Sequence, residues 1–154
     1  AASALVTSLK ASDQAAIVGF NSTATLMTGL TTDKAAAVAA LQALPSTQHS
    51  GTAIDLGLRK AYDEMIGPRH RSENHRAIVL LTDGQHVGDV EDVRSAARDI
   101  KAAGIKLVTI GLGTNIDGAL LTEIASEPKY YHAAPTTDDL GAIYRQIAEE
   151  IPCP

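Results

Sequence analysis

Two oxygen-bearing side chains in this chain stand where a hard cation could use them. Asp83 comes directly after a strand-length apolar run, residues 77–81, and Thr82, with Gly84 behind it. A short run apolar on both faces reads as a buried strand of a parallel sheet. The Asp-Gly turn then puts a carboxylate just past that strand's carboxyl end, where ligands sit in open α/β sheets. Upstream, Ser50-Gly51-Thr52 opens a helix and offers a hydroxyl to the same edge. A carboxylate and a hydroxyl on adjacent loops are half of a site for Mg²⁺ or Ca²⁺. Each residue also has an ordinary structural reading: Thr52 as the N-cap of the following helix, Asp83 as a turn residue bonded to its own backbone.

Other chemistry is thin. The histidines are His49, His70, His75, His86 and His132, and no pair has zinc-motif spacing. His49 and His86 fall on the two loops assigned to the ligand edge, where they would form its rim; a solvated loop histidine is the plainer reading of each. Gly111-Leu112-Gly113 follows a strand, but the third glycine of a dinucleotide fingerprint would fall at Ile116. There is no phosphate-binding G-x-x-x-x-G-K-[ST] loop and no G-x-S-x-G nucleophile elbow. The single cysteine, Cys153, lies between Pro152 and Pro154. It reads as an unpaired thiol in a linker or as half of a disulfide to a following domain.

Composition narrows the class further. The chain has 154 residues, 45% hydrophobic and 20% charged, with net charge −5. That is one globular domain. The acidic balance and the absence of a strong basic cluster argue against nucleic acid as a partner. No apolar run approaches the ~18 residues of a membrane span, so direct membrane insertion is not expected. Trp is absent and there is one Phe, so the core must be built from Ala, Leu, Ile and Val.

The elements that must position Thr52 and Asp83 alternate strand with helix. The pattern predicts a helix over 1–9, a hairpin of strands 14–20 and 24–28, and a helix over 34–43 capped by Thr32 and ended by Pro45. A helix over 53–65 carries Ile54, Leu58, Tyr62 and Met65 at helical spacing. A polar loop, 67–75, leads to the strand 77–82. Then come a helix over 90–103 ended by Gly104, a strand over 105–110, a short helix over 118–125, a short strand over 130–133 and a helix over 137–150. Such alternation implies βαβ units and a mostly parallel sheet with helices on both faces. The expected domain is 1–151, with 152–154 beginning a linker.

Taken in order, the segments QAAIVGFNSTATLMTGLTTDK, SGTAIDLGLRKAYDEM, RAIVLLTDG and GIKLVTIGLGTNIDGALLTEIAS resemble the von Willebrand factor type A domain family. The resemblance implies a Rossmann-like three-layer α/β sandwich: a mostly parallel central sheet, one antiparallel edge hairpin, and a metal-ion-dependent adhesion site at the strands' carboxyl ends. It implies that Thr52 and Asp83 are metal ligands, with Ser50, Gly51 and Gly84 in the supporting loops. It implies a protein-binding or adhesion module, not an enzyme, whose partner supplies an acidic side chain to Mg²⁺ (or Mn²⁺ or Ca²⁺), with an extracytoplasmic or cell-surface location favoured. A metal-independent structural or assembly domain of the same fold is the alternative. The family's first strand, ending in Asp-x-Ser-x-Ser, has no counterpart in these residues. The resemblance puts that strand between 14–20 and 77–82, at the centre of the sheet. Its loss would remove burial of about four large side chains at roughly 1.5–3 kcal/mol each and open two sheet edges. The expectation is a domain truncated at its N-terminus, or one whose strand comes from another chain, with only weak metal binding as it stands.

Overall fold

The computed structural model describes residues 2–44 and 51–151. His49, Ser50 and Cys153, and the expected linker 152–154, lie outside the described residues. Among the described residues six helices and five strands follow in order: α1 (Ala2–Ser8), β1 (Ala15–Phe20), β2 (Ala24–Thr31), α2 (Lys34–Gln42), α3 (Ile54–Ile66), β3 (Ala77–Thr82), α4 (Val90–Ala102), β4 (Lys106–Leu112), α5 (Gly118–Ile124), β5 (Tyr131–Ala134) and α6 (Leu140–Glu150). A 3₁₀ turn, Pro128–Tyr130, leads into β5.

The parallel half is built on β4. It pairs with β3 in continuous register, from Ala77 opposite Lys106 to Thr82 opposite Gly111, and with β5 from Thr109 opposite Tyr131 to Leu112 opposite Ala134. Parallel neighbours need a crossover. α4 supplies one, burying Val93, Ala96, Ala97 and Ile100 and ending at Gly104, whose φ of +71° is the left-handed turn expected there. A helix layer covers each face. On one side α3, α4 and α5 pack on Ile78, Leu80 and Leu107. On the other, Leu140, Ile143, Tyr144 and Ile147 of α6 pack on Val108 and Ile110.

The antiparallel half is the hairpin β1–β2, with Phe20 opposite Ala24 across its turn. Asn21 closes that turn, its Oδ1 accepting from the Thr23 amide at 2.9 Å. α2 lies beneath and is capped by Asp33, whose carboxylate accepts from the Ala36 amide at 3.0 Å. The cap is therefore Asp33 and not Thr32; the Thr32 position falls one residue outside the turn that the carboxylate closes. The last helix likewise begins at Leu140, three residues later than its sequence pattern, because Asp139 bonds back to the amide and hydroxyl of Thr136.

The two halves do not share a ladder. Among the described residues β1 pairs only with β2 and β3 only with β4, so the sheet is parted into two between the strands expected over 14–20 and 77–82. Between them lies a slot of about 1400 Å³, lined by β1 from Ala15 to Phe20, by β3 from Ala77 to Thr82, and by α1 and α3. β3 accordingly buries Ile78, Leu80 and Thr82 on its α3–α4 face, while Val79 and Leu81 on its other face are only half-buried.

Candidate functional site

The carboxyl ends of β1 and β3 and the start of α3 meet at one edge. The amide of Ala53 donates to the Asn21 carbonyl at 2.6 Å, and the Val87 amide donates to the Thr52 carbonyl at 3.0 Å. Gly51 takes a φ of +105°, and a Cβ there would stand 3.2 Å from Cβ of Ser22. The turn after β3 is held by Thr82, whose Oγ1 donates to the Gly84 carbonyl at 3.0 Å and accepts from the Gly84 amide at 3.3 Å. The ordinary role open to Asp83, bonding its own turn, is thus filled by its neighbour. Asp83 is exposed.

Thr52 and the turn carrying Asp83 are in contact. A Cβ built on Gly84 would lie 2.8 Å from Thr52 Oγ1, closer than real Cβ contacts come. Only glycine lets the hydroxyl lie against the backbone beside Asp83. Nor is Thr52 the cap of α3. The N-cap position is Ala53, with no side-chain hydrogen bond of its own.

The missing cap comes from elsewhere in the chain. The Ile54 amide donates to Nδ1 of His86 at 3.2 Å. The His86 side chain is 2% exposed, so it is not the solvent-facing rim residue that its loop position suggested. It is buried because its ring nitrogen serves a helix terminus. In that hydrogen bond Nδ1 is the acceptor. Asp55 Oδ1 is 3.9 Å from the same Nδ1. Nothing near His86 in sequence signals this role, since its partner is on another element.

Gly111 and Gly113 each meet a local structural demand. A Cβ on Gly111 would strike Ile116 Cδ1 at 2.3 Å, and Gly113 turns the chain at φ +79°. Among the described residues no group of three or more His, Cys, Asp or Glu side chains could hold a metal ion.

A family model, von Willebrand factor type A domain, matches residues 1–146. The chain belongs to the von Willebrand factor type A domain family. This type A domain is 37% identical to human (Homo sapiens) Matrilin-1 over 97 residues, 62% of this chain and 19% of that protein. It is 34% identical to human Cochlin over 93 residues, 60% of this chain and 15% of that protein. It thus spans less than a fifth of the length of either. Among solved structures it resembles proximal thread matrix protein 1 from the mussel byssus, solved with a zinc-occupied MIDAS motif. There the TM-score is 0.82 at 27% identity, covering 97% of this chain and 38% of that one. BatB from Bacteroides thetaiotaomicron shares the fold with a TM-score of 0.76 at 23% identity, covering 97% of this type A domain and 82% of that chain.

Proposed function

We propose that this domain is a non-enzymatic protein-binding module whose partner presents an acidic side chain to a divalent cation held at the edge where Thr52 and Asp83 meet. The observation that carries this reading is the contact of the Thr52 hydroxyl with the Gly84 backbone beside Asp83, where the cap position of α3 is Ala53 and not Thr52 and the turn after β3 is held by Thr82. Family membership supports it, as does the structural likeness to a protein with a zinc-occupied MIDAS motif.

The donor chemistry suits Mg²⁺, or Mn²⁺ or Ca²⁺ in its place: all prefer oxygen, and a hydroxyl and a carboxylate are oxygen donors. The number of donors does not suffice. A six-coordinate ion with two protein oxygens would keep most of its water and bind weakly. We assign the remaining donors to a strand lying in the slot between β1 and β3, from a segment upstream of Ala2 or from another chain. Ser50 and Gly51 belong to the supporting loop in this reading, and His49 to its rim. The bound ion supplies a positive charge that bridges this domain and the partner's carboxylate. Thr52 and Asp83 orient it, and Gly84 makes room for the hydroxyl. No helix among the described residues is long and apolar enough to cross a membrane, and an extracytoplasmic or cell-surface setting fits the adhesion reading.

A second reading is favoured by the absence of any three-residue ligand group among the described residues: a metal-independent structural or assembly domain. The two separate cleanly. In a chain extended by an N-terminal strand ending in Asp-x-Ser-x-Ser, millimolar Mg²⁺ should raise the melting temperature, and Asp83→Ala should abolish the rise. Identical melting with and without Mg²⁺ supports the second reading and removes the first.

A further inference from the structure

We propose that His86 is a positioning residue for this edge: as a side-chain cap on α3, it fixes the loop carrying Asp83 against the loop carrying Thr52. The inference deepens the metal-edge reading, while its geometry stands apart from any metal. A helix cap ordinarily comes from the residue next to the helix. Here Ala53 offers none, and the acceptor arrives from 32 residues further along the chain. Whatever favours capping of α3 therefore also favours one position of residues 83–88.

The loop is shaped around the ring. Gly88 has a φ of +134°, and a Cβ there would lie 3.1 Å from His86 Nε2. One residue after the ring, the Val87 amide bonds the Thr52 carbonyl. Ring and amide thus grip two nearby points of the segment entering α3, Ile54 and Thr52. The ring accepts from the Ile54 amide through the Nδ1 lone pair. The clasp also presents Val87 outward, 65% exposed, on a loop whose backbone is tied down on both sides.

Amide hydrogen exchange on the purified chain tests the clasp. In His86→Ala, the Ile54 and Val87 amides should both exchange about tenfold faster. His86→Asn, whose Oδ1 takes the place of Nδ1, should keep both slow. Adding Ala53→Ser to His86→Ala gives α3 a local cap; the first turn of the helix should recover while Val87 stays fast. A merely structural cap predicts recovery of both. The proposal is overturned if Val87 stays protected in His86→Ala, or if Ala53→Ser restores it. Should His86→Ala fail to fold, His86→Gln displaces the acceptor by one bond and must show the same paired loss. Titration with Mn²⁺ alone adds the functional arm: the His86→Ala, Ala53→Ser double variant should bind severalfold more weakly than the unaltered chain, and equal affinity overturns the positioning role. If the unaltered chain takes up no Mn²⁺, the same titration is made in the chain extended by the N-terminal strand, where no uptake removes the metal reading, and the exchange pattern still decides whether His86 holds the loop.

Discussion

The three-stranded half and the hairpin half of this domain come from similar residues and reach different degrees of burial. In the first, Ile100, Leu107, Val108 and Ile110 are fully removed from solvent, and β4 has a hydrogen-bonded strand on each side. In the second, the buried set reduces to Val6, Ala15, Ile17, Leu30 and Ala37, with Met27, Leu41 and Leu44 only partly covered, and among the described residues β1 has a partner on one side alone. Apolar composition is therefore not what separates a central strand from an exposed one. β1 reads AAIVGF and β4 reads KLVTIGL; the neighbours decide. Where helices cover both faces and strands flank both edges, Leu107 to Gly111 are all buried. Where one edge opens on the slot, the same residue types stay half-wet.

Mutations should reproduce that asymmetry, beginning with the largest effect. Leu107→Ala should cost about 4 kcal/mol and Ile17→Ala about 2 kcal/mol, because a rigid, fully enclosed site collapses less around a cavity than one beside open space. Urea unfolding of both variants checks this, and equal losses would break the comparison. Filling the slot with a strand should raise the Ile17 cost toward that of Leu107.

The next effect concerns a side chain that ties the halves together. Glu64 of α3 is 6% exposed. Its carboxylate accepts from the Leu30 amide of β2 at 2.7 Å, and from Arg69 Nε at 2.8 Å and Nη2 at 2.6 Å. Glu64→Gln should cost about 2 kcal/mol at pH 7, the scale of hydrogen bonds to a charged group. The Arg69 guanidinium holds the Glu64 carboxyl below its ordinary value of 4.5, aided by the Leu30 amide and opposed by burial. A carboxyl depressed in the folded state contributes fully above its unfolded value, and that contribution fades as the pH falls through the folded one. The stability gap between the unaltered chain and the Glu64→Gln variant should thus be widest above about pH 5 and narrow progressively below about pH 4. A gap independent of pH would show that packing, not charge, links the halves.

The smallest effect belongs to the surface of the well-packed half. Arg94 pairs with Glu123 through Nε at 2.8 Å and Nη2 at 3.0 Å. Both side chains are well exposed, where solvent and salt screen such pairs. Arg94→Ala should shift the melting midpoint less than either core or clamp variants, and the shift should shrink further in high salt. A loss matching that of Glu64→Gln would mean the surface network of α4 and α5 matters more than burial.

Much of the fold was legible because its signals are local. The helix over 90–103 announces itself by Gly104 behind it; the structure places it at Val90–Ala102. The strand 77–82 is recovered as Ala77–Thr82. Helix starts were less legible: at α2 and α6, Thr and Asp side chains compete for the same turn, and the pattern does not say which one closes it. Of the candidate site, the contact between the Thr52 and Asp83 loops could be anticipated from their places at a strand end and a helix start. The role of His86 could not. Its loop looks solvated, and its hydrogen-bond partner is reached only after the chain folds. Glu64 gave no signal for the same reason; it reads as an ordinary polar residue on a helix face.

The amino-acid sequence by itself determined the order and type of the elements, the apolar character of the strands and the two loops that carry Thr52 and Asp83. Periodicity, turn residues and strand ends are encoded within about ten residues of chain. Only the tertiary structure decided how wide the slot between the hairpin and the parallel strands is and what lines it, that His86 caps a helix far from it in sequence, and that Glu64 clamps α3 to β2. Each of those depends on which backbone edges and amides find partners. A buried N–H or carboxylate takes its partner from whatever the folded chain brings within about 3 Å, and that neighbour is set by packing rather than by nearness in sequence.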